Sequence, residues 1–538
     1  MSFEIVDRDL LGRIGRLKTR RGVVETPLFL PVVNPLTQPI PPRRMLEEFG
    51  CKALITNAYI IKRRLGDQPD LEVHRLLDYD GVIATDSGGY QILVYGDVEA
   101  DPLEIVEFQK RIGSDIAVIL DIPTGWETSR ERAEWTVRET LRRAEDALPL
   151  IAESDALWVG PVQGGNHLDL VEFSAKSMSQ LPYDIYALGS PTKVMEQYLF
   201  STLVDMVMTA KLNLPVNRPL HLFGAGHPMI FALAVAMGCD IFDSAAYALY
   251  ARENRYLTPR GTMKLDNLEY LPCSCPICRR YDADELREML KFERERLLAE
   301  HNLYVCMAEV ETVKQAISEG GLWELLEARS RGHPALTSAF RRLTEYREAL
   351  ERWSPTHKLR GLFYFDHYDL SRPEIMRHRR RLTMNYNPPR RASILLLAPA
   401  PREKPYIRSS DYRRLREHLM GFEKLHLCFY APPFGVVPPE LSETYPLSQI
   451  EVAEPLDPET MRRTAEETAR YIEEKPYESV ILYRGSTDLD ILIERCCREI
   501  CDSLEKRILV LEVSNPYSEA SLRRLREFLE DRFKDHKS

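Results

Sequence analysis

The chain contains no run of eighteen apolar residues anywhere in its 538, so no membrane-spanning helix is expected. Its start, Met1-Ser2-Phe3-Glu4-Ile5-Val6-Asp7, lacks the basic-then-apolar order of a secretory signal. Cysteine is limited to ten residues, which fits a reducing cytoplasm better than a disulfide framework. Low-complexity tracts and repeats of 20 to 50 residues are missing, which removes solenoids and propellers. Positive charge is not in excess. The net charge of −10 means that any nucleic-acid surface must be a local field rather than an average one. What remains is an ordinary globular composition, 44% hydrophobic and 29% charged, on a chain long enough for about three domains.

Three of the ten cysteines fall within six residues, Cys273-Ser274-Cys275-Pro276-Ile277-Cys278, and His301 follows after a helix-like stretch. Three thiolates and one imidazole are the donor set of a closed, four-coordinate structural zinc site. Cys306 is an alternative to His301 as fourth ligand, because one helical turn of slippage exchanges them. With every position filled by protein, such a metal holds a segment in place. The chemistry must then come from nearby carboxylates, first among them Asp243, where the apolar run Asp240-Ile241-Phe242 ends.

From Val23 to Ala245 short β-branched or apolar runs alternate with longer helix-patterned segments such as 129–152. The runs span 25–33, 53–57, 82–86, 116–121, 157–163, 185–189, 220–224 and 239–243. Eight strand–helix repeats in about 220 residues predict a closed α/β architecture, a (β/α)8 TIM barrel, over an open doubly wound sheet. The runs end in Asn57, Asp86, Asp121, Gln163, Gly189, Gly224 and Asp243. In a parallel barrel these ends share one mouth, where active sites of this fold are built. Any one of them could be a helix cap. A ring of carboxylates and amides without a ligand would be costly to bury, and a polar heterocycle would satisfy it.

The expected organisation is a barrel domain over 1–383, with a zinc-binding insertion at about 269–301 and a helical appendage over 308–381. A proline-bearing linker, 384–391, then leads to a smaller α/β accessory domain over 392–538, with strands at 393–397, 425–430, 479–483 and 508–513. Arg377, Arg379, Arg380, Arg381, Arg390 and Arg391 fall in fifteen residues without an acid, interleaved with Asn385, Tyr386 and Asn387. That mixture is expected to touch phosphate, as are Arg260, Arg279 and Arg280.

Several stretches together carry a family resemblance: Asp86-Ser87-Gly88-Gly89-Tyr90-Gln91, Val162-Gln163-Gly164-Gly165, Leu188-Gly189-Ser190-Pro191-Thr192, His221-Leu222-Phe223-Gly224-Ala225-Gly226-His227-Pro228, and the run from Phe242 to Arg252. With the Cys273/Cys275/Cys278/His301 set, their order over residues 8 to 380 resembles the tRNA-guanine transglycosylases, and specifically the archaeal branch that makes archaeosine. The resemblance implies a barrel with one structural zinc, a homodimer, and replacement of guanine at position 15 of the tRNA D-arm by 7-cyano-7-deazaguanine. It implies Asp243 as nucleophile, Asp86 as general acid/base, and Asp121, Gln163 and Gly189 as residues that bind the base. Longer members carry a C-terminal PUA domain that is not recognisable before Ser538, which points to a separate PUA-domain protein as a further partner.

Breaking and remaking an N-glycosidic bond with retained configuration calls for two displacements, one carboxylate attacking the anomeric carbon while another group manages the proton. Two related readings compete: a non-catalytic tRNA-binding subunit, and an archaeosine synthase-like paralogue acting on the inserted base. Retention of Asp86, Asp121 and Asp243 opposes the first. Lys404-Pro405-Tyr406-Ile407-Arg408-Ser409 resembles a motif of the synthase, but Ala398 stands where that motif has its cysteine. A zinc hydrolase using His221 or His227 lacks an open ligand set.

Overall fold

This computed structural model describes residues 2–89 and 101–534; Tyr90 and Gln91 of the Asp86 motif lie outside them. The chain forms two compact units, Met1–Tyr346 with Trp353–Pro355, and Arg347–Arg352 with Thr356–Ser538.

The first unit is built on eight parallel strands, one in each of the eight runs: β1 (Leu28–Pro31), β2 (Ala53–Asn57), β3 (Val82–Asp86), β4 (Ile116–Val118), β5 (Leu157–Val162), β6 (Ile185–Leu188), β7 (Leu220–Leu222) and β8 (Ile241–Ser244). Each pairs with its neighbour in sequence, and β8 pairs with β1. A bridge between Val32 and Ile55 joins β1 to β2, with the Val33 N–H donating to the Ile55 carbonyl at 2.8 Å. The sheet is therefore a closed barrel, and the open-sheet alternative is set aside. Leu30, Ile55, Ala84, Val118, Val159, Ala187 and Ile241 fill it as one buried cluster, the packed interior expected of this fold. The outer helices carry their apolar residues on one stripe. In Arg130–Ile151, capped by Ser129, the buried positions include Ala133, Val137, Thr140, Ala144 and Ala147.

The second unit is an open five-stranded sheet in the order 435–437, 425–431, 394–399, 479–484, 507–512, parallel except at the 435–437 edge. Strand residues alternate between two apolar clusters. Leu396, Ala398, Phe429 and Ile481 face one, and Leu395, Leu397, Cys428 and Val480 face the other. Helices cover both faces, as a buried parallel sheet requires. Helix Pro373–Met384, expected from sequence as part of the barrel's appendage, packs here instead: Ile375 enters one cluster and Leu382 the other. Strand Leu362–Tyr364 likewise pairs with Ile450–Val452. The division between units thus lies near 346–356 rather than 383. The reason is that the period of an amphipathic helix shows that it buries a face without showing against what.

An antiparallel sheet formed by Phe3–Asp9, Gly12–Thr19 and Gly22–Thr26 adds Phe3, Leu17 and Val24 to the barrel's interior cluster. Its side chains tie acids that immediately precede barrel strands. Arg13 holds Asp240 through two bonds, 2.6 and 2.7 Å, Arg20 holds Asp115 at 2.9 Å, and Ser2 donates to Asp184 at 3.2 Å. Burial pushes the Asp115 carboxyl up, but His74, the Ile83 N–H and Arg20 outweigh it and leave its pKa below the ordinary value. The amino-terminal end of the barrel is thus closed by cation–carboxylate pairs. Breaking a buried pair leaves a bare charge and costs about 3–5 kcal/mol. Arg13→Ala is therefore expected to lose stability on that scale in urea unfolding. A loss under about 1 kcal/mol would mean that Lys211, 3.8 Å from Asp240, takes over the charge.

Candidate active site and metal centre

At the opposite, carboxyl ends of the strands the polar residues meet each other rather than arginines. Asn57 and Asp86 are register partners at the ends of β2 and β3. The Asn57 side chain caps the next helix by accepting from the Ile60 N–H, and its amide donates to Asp86 Oδ2 at 2.8 Å. The capping and bracing roles are thus both filled by one residue. Burial raises the Asp86 carboxyl to about 6; the negative charge of Asp243 adds to this, while the Gly88 N–H, the Asn57 amide and the Ser87 N–H oppose it.

Asp121 lies three residues past the end of β4 and is buried. Gln163, just after β5, donates from Nε2 to Asp121 Oδ2 at 2.5 Å. Its Oε1 accepts from the Thr124 N–H at 2.9 Å and the Ser190 hydroxyl at 3.2 Å, which fixes the amide's orientation. Two glycines make room for this pair. A side chain at Gly189 would run into the Gln163 amide, and one at Gly89 into Asp121 Oδ1. Burial raises Asp121 to about 7, reinforced by the charge of Asp86 and opposed by hydrogen bonds that include Gln163.

Asp243 sits in β8. Its Oδ1 meets His221 Nε2 at 2.8 Å and accepts from the Gly224 N–H at 3.1 Å. Among the described residues nothing hydrogen-bonds its Oδ2. The side chain keeps 14% exposure beside a His221 side chain at 3%, so the carboxylate is reachable while its partner is locked. Phe223 packs edge-on against the His221 ring, 4.6 Å between centroids. The sequence set His221 aside only as a hydrolase ligand and did not pair it with Asp243. The available signal was register: His221 pairs with Ile241, so Asp243, two residues on, presents its side chain to the same face.

The structure brings Asp86, Asp121, Gln163, Gly189 and Asp243 to one end of the barrel, and the influence of Asp243 on Asp86 and of Asp86 on Asp121 follows from that convergence. His227 stands apart: its Nε2 meets the Thr262 hydroxyl at 2.9 Å, and burial lowers it to about 4.

Cys273, Cys275, Cys278 and His301 place their donor atoms within 4.8 Å of one another. Cys275 and Cys278 Sγ are 3.5 Å apart, and they lie 3.4 and 3.3 Å from His301 Nδ1. A disulfide needs about 2.05 Å between sulfurs, whereas ligands on one tetrahedral ion stand about 3.4–3.8 Å apart given metal bonds of about 2.0–2.3 Å. His301 Nε2 faces the Leu257 carbonyl at 3.0 Å, so that nitrogen carries the hydrogen and Nδ1 offers its lone pair to the cluster. The ring stacks on Tyr256 at 3.6 Å. These residues fit a metal ion. Cys306 does not belong to the set, since its buried Sγ faces the Gly226 carbonyl at 3.7 Å. The neighbouring Asn302 ties the Leu257 N–H and the Tyr247 and Arg255 carbonyls together. The helix carrying both residues, Lys291–Glu319, packs on Ala246–Arg252, which follows Asp243 directly. The cluster therefore braces the segment behind β8.

The arginine-rich stretch is corrected in part. Arg377 and Arg380 both grip Glu351, and Arg379 reaches Glu467 and the Pro433 carbonyl. These three hold the second unit together and are not free for phosphate. Arg381, Arg390 and Arg391 are exposed, as are Arg260, Arg279 and Arg280.

The raised carboxyls have a thermodynamic signature. Asp121 binds a proton in the folded state up to about pH 7 and in the unfolded chain only to about pH 4. Between those values the folded state binds more protons, so its contribution to stability falls as pH rises and then levels off. Asp121→Asn removes that loss. The variant is expected to gain on the parent in urea midpoints measured from pH 4 to pH 7.5, and a parallel pair of curves would contradict the shift.

Comparison with known proteins agrees with this geometry. The family described as queuine tRNA-ribosyltransferase matches residues 8–335, and a domain of unknown function matches residues 375–529. A tRNA-guanine(15) transglycosylase of Pyrobaculum aerophilum is 44% identical over 92% of this chain and 97% of its own length. One from Aeropyrum pernix is 46% identical over 84% of this chain and 87% of its own length. One from Methanocaldococcus jannaschii is 43% identical over 90% of this chain and 73% of its own length. A barrel closed by eight parallel strands, with acids and amides gathered at its carboxyl end and a Cys3His cluster behind the last strand, is thereby placed: the chain belongs to the archaeal branch of the tRNA-guanine transglycosylase family.

Proposed function

We propose that this protein exchanges the guanine at position 15 of the tRNA D-arm for 7-cyano-7-deazaguanine, through a covalent ribosyl ester on Asp243. The observation that carries the reading is the asymmetry of that carboxylate, with Oδ1 held by His221 and the Gly224 N–H and Oδ2 left without a partner among the described residues. In the first displacement Oδ2 attacks C1′ of the ribose and the C1′–N9 bond breaks. The departing guanine takes a proton from Asp86, whose raised pKa keeps a protonated fraction near neutral pH. In the second, the incoming base attacks C1′ from the opposite side and gives its proton to Asp86. The ester bond breaks, Asp243 leaves as a carboxylate, and configuration is retained.

Asp121, Gln163 and the Gly189 backbone are the groups for the heterocycle. A carboxylate beside a fixed amide suits the amino and ring N–H edge of a guanine-like base, and leaving such groups unpaired costs about 1–3 kcal/mol each. The target base must turn out of its stack to reach this depth. The metal is zinc, held by Cys273, Cys275, Cys278 and His301, and it supplies no open coordination position to the reaction. The homodimer is what the family resemblance implies, and Tyr270, Leu290 and Phe292, on either side of the cysteine segment in sequence and 66–81% exposed, are side chains it would cover. Among the described residues no helix is long and apolar enough to cross a membrane, which is compatible with the expected cytoplasmic setting.

Two experiments test this. Release of labelled guanine from a tRNA transcript in the presence of 7-cyano-7-deazaguanine should fall on the order of 10⁴-fold or more in Asp243→Ala, and the parent should leave a covalent RNA adduct on denaturing gels. Equal release from parent and variant would end the nucleophile assignment. Metal analysis should give one zinc per parent chain and less in Cys275→Ser, with a lower unfolding midpoint. Undiminished metal in that variant would refute the ligand set.

A further inference from the structure

Within the second unit, at the end of helix Pro373–Met384, lies a cavity of about 310 Å³ lined by Arg377, Arg381, Asn385, Tyr386, Thr356 and Tyr445, among others. Its charge is not balanced from within. The one carboxylate in the lining, Glu374, is already paired with Lys358 at 2.6 Å, and Arg377 is spent on Glu351. Arg381 has no ion-pair partner, and the Asn385 side-chain amide has no hydrogen bond, among the described residues. Both are exposed. Arg390 and Arg391, nine and ten residues beyond Arg381, extend the same exposed segment, with only a loose 3.9 Å contact from Arg391 to Glu423.

The cavity also has a fixed aromatic wall. The Tyr386 hydroxyl donates to Glu440 and meets His426 Nε2 at 3.3 Å, and the Tyr386 carbonyl accepts from Lys475 at 2.6 Å. Its ring is half-buried and cannot swing freely. A free guanidinium, a free amide and an immobilised ring are the parts with which proteins hold a nucleotide: the cation for phosphate, the amide for ribose or base, the ring for stacking.

We propose that this cavity is a nucleotide-binding site for a segment of the tRNA strand outside the target base, with Arg381 on a phosphate and Asn385 and Tyr386 beside the attached nucleoside. The site gives the second unit a role in holding the substrate. It rests on the tRNA reading above, and it separates the arginine cluster into an inner half that builds the unit and an outer half that meets RNA.

The test uses the full chain and a tRNA transcript, with Arg381→Ala, Asn385→Ala and the control Arg379→Lys. Both Arg381→Ala and Asn385→Ala should raise KM for tRNA, the former about tenfold near 0.15 M salt, with kcat and the unfolding midpoint held. In direct binding, Arg381→Ala should also reduce the slope of log affinity against log salt by roughly 0.7–0.9, the loss of one phosphate contact. The control should change stability and leave the salt slope alone. Unchanged KM and slope in Arg381→Ala would overturn the proposal. So would saturable binding of GMP or inorganic phosphate that Arg381→Ala abolishes while KM for tRNA stays the same, because the cavity would then serve a small phosphate ligand. Failure of the parent to exchange guanine or to bind tRNA would instead overturn the functional reading, and this site with it.

Discussion

Burying carboxylates without counter-cations is the constraint on which the rest of this molecule depends. Asp86, Asp121 and Asp243 occupy one end of the barrel, and among the described residues none of them forms an ion pair with lysine or arginine. Asn57, Gln163, His221 and backbone N–H groups hold them instead. Such donors orient a carboxylate without setting a lysine or arginine against it. Burial and mutual repulsion then lift Asp86 to about 6 and Asp121 to about 7. The other end of the same barrel shows the opposite arrangement, with Asp115 and Asp240 tied to arginines. One fold thus uses the same residue type for cohesion at one end and in the candidate active site at the other, and the partner decides which.

A site of this kind needs outside support, because its own contacts favour neutralisation more than order. Glycine at 89 and 189 lets backbone and side chains approach closely enough for Gln163 to reach Asp121. The Cys3His cluster includes His301 of helix Lys291–Glu319, and that helix backs the segment following Asp243. The candidate metal centre and the carboxylates are therefore parts of one mechanical arrangement.

The second unit repeats the economy of the first in another form. Its parallel sheet is buried on both faces, so its strands read as continuous apolar runs, and Leu395 to Ala398 divide between two clusters by simple alternation. The basic helix beside it joins a structural side to an exposed one. Arg377, Arg379 and Arg380 close onto Glu351, Glu467 and a carbonyl, while Arg381 and Arg390 remain outward. Counting charges along the chain could not make that distinction.

Local chemistry alone determined much of this protein. Eight apolar runs ending in polar residues specify strand number and the common mouth, because side-chain period and strand polarity are properties of the chain itself. Three cysteines at close spacing specify a candidate metal cluster, because thiolates so near each other have few other uses. Tertiary structure decided what depends on partners far apart in sequence. It chose His301 over Cys306, gave His221 to Asp243, moved Pro373–Met384 into the second unit, and turned half of an arginine cluster inward. In each case the deciding contact joins elements that meet only after folding, and the energy of a buried polar group depends on the atom it meets rather than on its neighbours in the chain.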